Sequence, residues 1–321
     1  MKKRAFTFPG QGSQSVGMGK ELADTFPEAR AVFAEVDDAL GESLSSTMFE
    51  GPEETLRLTQ NAQPALMAVS IATLRVLEAR GVNLSTDSNF VAGHSLGEYS
   101  ALCAAGTFTL SDTARLLRTR GEAMQRAVPV GTGAMAAILG LGLDEVREVA
   151  EQASLGDVCE VANDNAPGQV VVSGDSAAID RAVELAKAAG AKRALLLPVS
   201  APFHCSLMQP AAEAMEQALA LVDMQAPVVP LVANVLAAPI SDPNEIRNRL
   251  VEQVTGMVRW RESISWLADE GEVNQLLEIG TGKVLSGLAR RIDRNLDATP
   301  VGLPTEIESL VRELSDATER G

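Results

Sequence analysis

Short strand-like runs of apolar residues alternate along the chain with longer stretches whose apolar positions recur at helical spacing. This alternation is typical of an α/β protein with a mainly parallel sheet. The first strand is predicted over residues 4–8, and helices are predicted over 61–80 and from the capping residue Ser111 to about residue 126. The run 129–133 then breaks the pattern, and we interpret it as a domain junction.

The residues after this junction have an order of their own. Their pattern predicts strand, helix, two strands, helix and strand, the βαββαβ arrangement of the ferredoxin-like fold, which can be inserted into a larger unit. The predicted strands are 134–139, 158–162, 169–173 and 193–197, and the helices are 143–153 and 176–189. A larger α/β core then resumes, with predicted strands at 229–232 and 273–279 and helices near 244–254 and from Lys283.

The segment 89–99 places a Gly-x-Ser-x-Gly turn between a short apolar strand and a helix of small residues. This is the context of a nucleophile elbow, in which a strained turn flanked by glycines lifts the serine hydroxyl clear of the sheet. Ser95 is therefore the predicted nucleophile. The alternative is a chance match, since the chain has 26 glycines.

A serine hydroxyl becomes a good nucleophile when a base takes its proton, and near neutral pH that base is usually histidine. The chain has 2 histidines. His94 lies inside the turn, where we expect its side chain to leave on the other side and serve packing or hydrogen bonding. His204 lies in the loop-like segment 198–206, between a predicted strand and an amphipathic helix. A lone loop histidine is more often structural, but the scarcity of histidine makes His204 the predicted base.

Composition limits the remaining classes. The 321 residues are 46% hydrophobic, which suits one large or two modest globular domains. The 3 dispersed cysteines fit a reducing compartment and have no metal-ligand spacing. The apolar run after the basic N-terminus is too short for a signal peptide or a membrane span, so a cytoplasmic protein is expected. A net charge of −16 with 3% aromatic residues argues against nucleic-acid binding.

The glycine-rich run 9–14 follows the first strand, as a dinucleotide- or phosphate-binding loop does. However, Ser15 stands where the third glycine of the dinucleotide fingerprint belongs, and no lysine directly follows Gly17 as in a Walker loop. A glycine-flanked turn at a strand end can instead present a backbone N–H beside the nucleophile. Paired with the N–H of Leu96, it would form an oxyanion hole.

A set of short motifs points to one family. They are residues 8–14 (FPGQGSQ), 63–65 (QPA), 93–99 (GHSLGEY), 120–121 (RG), 131–135 (GTGAM), 163–169 (NDNAPGQ), 202–204 (PFH) and 278–280 (EIG). Together they resemble the malonyl-CoA:acyl carrier protein transacylases of fatty-acid synthesis over nearly the whole chain. The resemblance implies a hydrolase-like core with a mainly parallel sheet at 1–130 and 199–321, and a ferredoxin-like small subdomain at 131–198.

Carried over residue by residue, the resemblance implies Ser95 as the acyl acceptor, His204 as its base and Arg120 as the partner of the malonyl carboxylate. A guanidinium offers two parallel N–H groups to a planar carboxylate, so it can select acids over plain acyl groups. The resemblance further implies that the backbone N–H groups of Gln11 and Leu96 form the oxyanion hole and that the backbone carbonyl of Gln253 orients the histidine. Gln63 and Asn165 would line the cleft, and Phe203 would narrow it against a methyl branch.

The resemblance also implies malonyl-CoA and an acyl carrier protein as partners, with no metal and no cofactor of the enzyme's own. Carrier proteins are acidic, as is this chain, so docking is expected at a basic spot such as Lys283, Arg290 and Arg291. A solvated helix face is the alternative for those three residues. A monomer is expected.

Two other functions stay open at this point. A serine hydrolase or thioesterase shares the elbow and differs in letting water reach the acyl-enzyme. A carrier-binding or assembly subunit would keep the fold without turnover. The pathway is likewise open among fatty-acid synthesis, polyketide synthesis and a malonate decarboxylase system.

Overall fold

Two β-sheets of different character organise the computed structural model, which describes residues 2–129 and 131–319. Val130, at the predicted junction, lies outside the described residues, as do Met1 and the last two residues of the predicted core. The strands are β1 (Arg4–Phe8), β2 (Phe90–Gly93), β3 (Gly133–Leu139), β4 (Cys159–Ala166), β5 (Gln169–Asp175), β6 (Arg193–Leu196), β7 (Leu231–Ala233), β8 (Ala238–Ile240), β9 (Gln275–Ile279) and β10 (Asp297–Val301).

Helices surround both sheets. They are α1 (Lys20–Thr25), α2 (Pro27–Leu40), α3 (Leu44–Glu50), α4 (Glu53–Arg57), α5 (Thr59–Glu78), α6 (Leu84–Asp87), α7 (Gly97–Ala104), α8 (Leu110–Ala127), α9 (Leu143–Ser154), α10 (Ser176–Ala188), α11 (Gln209–Ala220), α12 (Pro243–Thr255), α13 (Trp260–Asp269), α14 (Val284–Ile292) and α15 (Pro304–Glu319). A 3₁₀ turn over Ser206–Met208 precedes α11. No helix in the described part of the chain combines the length and apolarity needed to cross a bilayer.

The larger sheet has the order β10-β9-β1-β2-β7-β8, with every pair parallel except β7 with β8. Its central strand β1 is buried along its whole length, as expected for a strand covered by helices on both faces. Because parallel strands end at one edge, the loops after β1, β2 and β7 come together there. The elbow follows β2 and therefore opens at this edge.

The smaller sheet is antiparallel, with the order β4-β5-β3-β6. Its helices α9 and α10 pack against one another and against the sheet around an apolar cluster of their own. The predicted fold class, a mainly parallel α/β sheet with an antiparallel βαββαβ unit, is confirmed by this arrangement. The residue boundaries assigned to the two units stay a prediction.

Several predicted element ends differ from the structure; the strand predicted at 158–162, for example, is Cys159–Ala166, and three other differences follow. The cap of α8 is Thr109 and not Ser111, because the Thr109 Oγ1 accepts the N–H of Asp112 at 3.0 Å. The strand predicted from residue 229 begins at Leu231. The amphipathic helix predicted near Ser206, at the end of the segment 198–206, is preceded by a 3₁₀ turn and becomes α-helical at Gln209.

Helices α5 and α8 approach each other closely beside the larger sheet. At Gly121 on α8, a Cβ atom would lie 2.5 Å from the Cα of Gln60 on α5, so only glycine allows this spacing. The contact brings Gln63 of α5 and Arg120 of α8 together in the interior.

Candidate active site

The elbow consists of β2, a turn at Ser95 and helix α7. Ser95 has φ of 54°, a left-handed conformation that is strained for a residue with a side chain. At Gly97, which begins α7, a Cβ would lie 2.2 Å from the carbonyl oxygen of Phe8. Glycine is therefore required here because helix and strand β1 approach each other, and not for a left-handed backbone of its own.

We expect Gly97→Ala to lower the free energy of unfolding by about 3 kcal/mol or somewhat more, since the added methyl overlaps backbone that cannot move aside alone. Urea unfolding followed by circular dichroism measures the change. Gly287→Ala is the matched control, because a Cβ there meets nothing within 4 Å and a helical glycine gives way to a better helix former. Equal stability of the Gly97 variant and wild type would contradict the close approach.

Ser95 and His204 meet although 109 residues separate them, with Ser95 Oγ 2.7 Å from His204 Nε2. The other ring nitrogen, Nδ1, faces two carbonyl oxygens, those of Gln253 at 2.8 Å and Gly256 at 3.2 Å. A carbonyl can only accept, so Nδ1 carries the proton and Nε2 is the acceptor for the serine O–H. The neutral imidazole thus has the tautomer that a general base requires.

Burial sets the charge state of His204. The side chain is buried, and this desolvation, together with the positive charge of Arg120, lowers the pKa of His204 to about 3. The bonds that Nδ1 donates to Gln253 and Gly256 oppose the shift and are outweighed. At neutral pH the imidazole is therefore unprotonated and free to accept a proton.

A lowered pKa predicts an unusual pH profile. Because protonation of His204 would begin only near pH 3, we expect the rate of Ser95 acylation to stay flat from about pH 7 down to about pH 5. An ordinary histidine would instead lose the rate through an inflection near pH 6.5. Single-turnover acylation measures this, with circular dichroism at each pH as the control for folding.

Arg120 lies in the floor of the site with 1% of its surface exposed. Its Nη2 donates to Ser95 Oγ at 3.1 Å and to Gln253 Oε1 at 2.8 Å, and its Nη1 donates to Gln63 Oε1 at 2.8 Å. Its Nε is buried with no partner among the described residues. A buried, unpaired guanidinium N–H is costly unless an acceptor arrives, which points to an anionic ligand.

Two residues of the site, Asn234 and Glu98, were not identified from the sequence. Asn234, directly after β7, accepts the Ser95 N–H at 2.8 Å and donates to Gly93 O at 2.7 Å. Glu98 on α7 accepts the Asn234 N–H at 3.1 Å and a second bond from the Gln253 side chain. The available signal for Glu98 was a charged residue among small and apolar ones in a helix buried on all sides.

Glu98 makes its hydrogen bonds with Gln253 and Asn234 and not with His204. Burial raises the pKa of Glu98 to about 8, although the bonds from Asn234 and Gln253 and the charge of Arg120 lower it. The imidazole of His204 is thus oriented by main-chain carbonyls. Glu98 instead holds the side-chain amide of Gln253, which lies between Glu98 and Arg120. A neutral carbonyl stabilises an imidazolium less than a carboxylate does.

The two backbone donors expected for the oxyanion hole both line the cavity. The N–H groups of Gln11 and Leu96 make no hydrogen bond within the described chain, so both are open to a ligand. Leu96 stands at the N-terminal end of α7, where the helix dipole also favours a developing negative charge.

The cavity that contains Ser95 has a volume of about 360 Å³ and lies between the two sheets. Gln63 and Phe203, to which the resemblance assigns roles in the cleft, line this cavity. Asn165 is not among its lining residues, and Asn163 takes that place. The pairing of β4 with β5 shifts between Asp164 and Ala166, and Asn165 instead holds His94 through a 2.8 Å bond to Nε2.

The basic residues expected at a docking site lie on α14 or directly before it. Lys283 precedes the helix, whereas Arg290 and Arg291 are in its last turn. Arg290 donates to Ala298 O at 2.7 Å and Arg291 to Gln169 Oε1 at 2.8 Å. Two of the three cations thus already have partners within the chain.

Comparison with known proteins places this geometry in context. The acyl transferase domain model matches residues 5–284. Malonyl CoA-acyl carrier protein transacylase of Bacillus subtilis (strain 168) is 46% identical over 320 residues, covering 99% of each chain. The crystal structure of the acyl-carrier-protein-S-malonyltransferase of Bartonella henselae has a TM-score of 0.95 at 60% identity, covering 98% of this chain and 99% of that one. The structure of a malonyl-transacylase in complex with its type II PKS acyl-carrier protein has a TM-score of 0.94 at 42% identity, covering 97% of this chain and 99% of that one.

Proposed function

Because this chain belongs to the malonyl CoA-acyl carrier protein transacylases of the acyl transferase domain family, we propose that its cleft moves a malonyl group from malonyl-CoA to the thiol of an acyl carrier protein. The observation that carries the proposal is the convergence of two groups, a base and a cation, on one nucleophilic oxygen. Ser95 Oγ lies 2.7 Å from the His204 base and 3.1 Å from the Arg120 guanidinium. A nucleophile with a carboxylate-binding cation beside it suits a short acyl group that carries its own acid.

The first half-reaction acylates the serine. As Ser95 Oγ attacks the thioester carbonyl, its proton passes to His204 Nε2, and the N–H groups of Gln11 and Leu96 stabilise the oxyanion. The C–S bond then breaks, and the leaving CoA sulfur takes the proton from His204. A malonyl-serine ester remains.

The second half-reaction reverses these steps with a different thiol. The thiol of the carrier's phosphopantetheine gives its proton to His204 and attacks the ester carbonyl. When the tetrahedral intermediate collapses, the C–O bond to Ser95 breaks and Oγ takes the proton back. The reaction needs only side chains and backbone of this chain, since the arm that bears the thiol belongs to the substrates; no metal or cofactor enters the proposal.

Arg120 gives the site its preference for an acid. The malonyl carboxylate would accept from the guanidinium, including the Nε that has no partner within the described chain. The side chains of Gln63 and Gln253 hold the guanidinium from either side through their 2.8 Å bonds. Phe203 on the cavity wall would narrow the space for a branched acid.

Intact-mass analysis tests the function directly. We expect a malonyl adduct after mixing with malonyl-CoA, and transfer of that adduct when a holo carrier protein is added. Release of free malonate without a carrier would instead indicate a hydrolase. Absence of any adduct would indicate a subunit that binds without turnover.

We further propose that the malonyl group supplies fatty-acid synthesis, that the carrier docks near Lys283, Arg290 and Arg291, and that the protein acts as a monomer. The first point is supported by the similarity to the Bacillus subtilis relative over its full length. Faster transfer to a polyketide carrier than to a fatty-acid carrier would contradict it.

A further inference from the structure

Arg57 is a charged residue of the cavity that the proposed mechanism does not use. It is the last residue of α4 and lines the same cavity as Ser95 and Arg120. Its side chain is 63% exposed, whereas Arg120 is buried, so Arg57 lies at the opening and Arg120 at the closed end. Apart from the histidines His94 and His204, these two arginines are the residues with ionisable side chains among the described residues that line the cavity.

The partner of Arg57 within the chain is weakly held. Its Nη2 donates to Glu53 Oε1 at 2.7 Å one helical turn away, and both side chains are more than half exposed. An exposed pair of this kind contributes about 0–1 kcal/mol, so a better anion can replace the carboxylate at little cost. Arg57 is therefore available as a binding group at the mouth of the cavity.

The ligand is suggested by the shape of the cavity and by what the two substrates share. A volume of about 360 Å³ is at the small end for ligand sites, enough for the acyl group and part of a slender arm. Bulkier groups must stay outside. In CoA and in a holo carrier the thiol is joined through the same pantetheine arm to a phosphate. That phosphate would reach the opening while the thioester lies at Ser95.

We propose that Arg57 binds this shared phosphate at the end of the pantetheine arm, an inference that rests on the proposed function. The guanidinium fork matches two phosphate oxygens, and its charge offsets the field of a chain whose net charge is −16. One cation would then guide both the incoming malonyl-CoA and the carrier that collects the malonyl group. The Arg120 end holds the acyl carboxylate, so the two arginines fix the ends of the substrate.

The test uses three malonyl thioesters: malonyl-CoA, malonyl-phosphopantetheine, and malonyl-pantetheine, which has no phosphate. We expect Arg57→Ala to raise KM about tenfold for the first two, leave kcat unchanged, and leave both constants for malonyl-pantetheine unchanged. Arg57→Lys should recover part of the loss. Acylation is followed by intact mass on the full chain.

Two further variants sharpen the result. Glu53→Gln removes the competing carboxylate, so KM for malonyl-CoA should fall by about twofold. Arg115→Ala is the matched control, because Arg115 is similarly exposed, is paired with Asp112 three residues earlier and does not line the cavity. It should change neither constant.

Three outcomes would overturn the inference. A loss of the same size with malonyl-pantetheine would show that Arg57 acts by shaping the cleft. A loss confined to malonyl-CoA would place the contact on the nucleotide, and an unchanged KM with every substrate would show that no contact exists. Failure of wild type to become acylated by any of the three thioesters is a different result, because it overturns the proposed function itself.

Discussion

Ser95→Ala yields a protein that forms no malonyl adduct and whose turnover falls by about 10⁵–10⁶-fold, the loss seen when a serine nucleophile that works with a histidine base is removed. The hydroxyl accepts an N–H from Arg120 Nη2 at 3.1 Å and donates its O–H to His204 Nε2 at 2.7 Å. Neither neighbour can replace it, because a guanidinium is not a nucleophile and the Nε2 of His204 is positioned for proton transfer. Intact mass after mixing with malonyl-CoA gives the result.

His204→Asn separates the nucleophile from its base. Asparagine tolerates the left-handed conformation at this position, where φ is 58°, so the loop keeps its shape. We expect acylation to slow by about 10²–10⁴-fold while the adduct still accumulates at long times, since Ser95 remains. Full-rate acylation of either variant would remove that residue from the mechanism. Unchanged melting temperatures are the control for folding.

Arg120→Gln should abolish the preference for acids. Loss of one partner of a buried charge pair costs about 2–5 kcal/mol, so kcat/KM for malonyl-CoA should fall by about 30- to 5,000-fold. Acetyl-CoA has no carboxylate for Arg120 to bind, and acylation by it should be unchanged or faster. The ratio of the two specificity constants is therefore the quantity to measure, and it also reports folding, because a misfolded variant loses both activities.

Controls on the same helix sharpen this result. Arg120→Lys keeps the charge but loses the planar fork, so only part of the malonyl preference should return. Arg115→Ala changes an exposed arginine of α8 and should leave the ratio as in wild type. If Arg120→Gln lowered both activities equally, the residue would serve the structure of the elbow and not the recognition of the acid.

The parts of the site that sequence could predict depend on local signals. A Gly-x-Ser-x-Gly turn between an apolar strand and a small-residue helix indicates an elbow because strand, turn and helix are consecutive, and β2, Ser95 and α7 have that order. His204 was singled out by scarcity, since the chain has 2 histidines and the other lies inside the turn. The βαββαβ unit was likewise readable from the alternation of elements.

What sequence could not predict depends on contacts between distant segments. Asn234 holds the Ser95 N–H from 139 residues away, and no periodicity distinguishes it from a surface asparagine. Asn163 replaces Asn165 at the cavity because the strand register shifts near them, and a shift of this kind has no reliable signature in one sequence. The prediction that Ser111 caps α8 failed for a smaller reason, because serine and threonine are both preferred at caps and Thr109 lies two residues earlier.

The left-handed backbones of Ser95 and His204 have a consequence for how this protein changes under selection. Each conformation costs roughly 1–2 kcal/mol for a residue with a Cβ and nothing for glycine. At Ser95, whose side chain is small, a laboratory evolution campaign that rewards heat resistance alone is therefore drawn to glycine, whereas at His204 glycine would also lose the packing and hydrogen bonds of a buried ring. Thermal robustness and turnover must be screened together, or the catalyst is lost first.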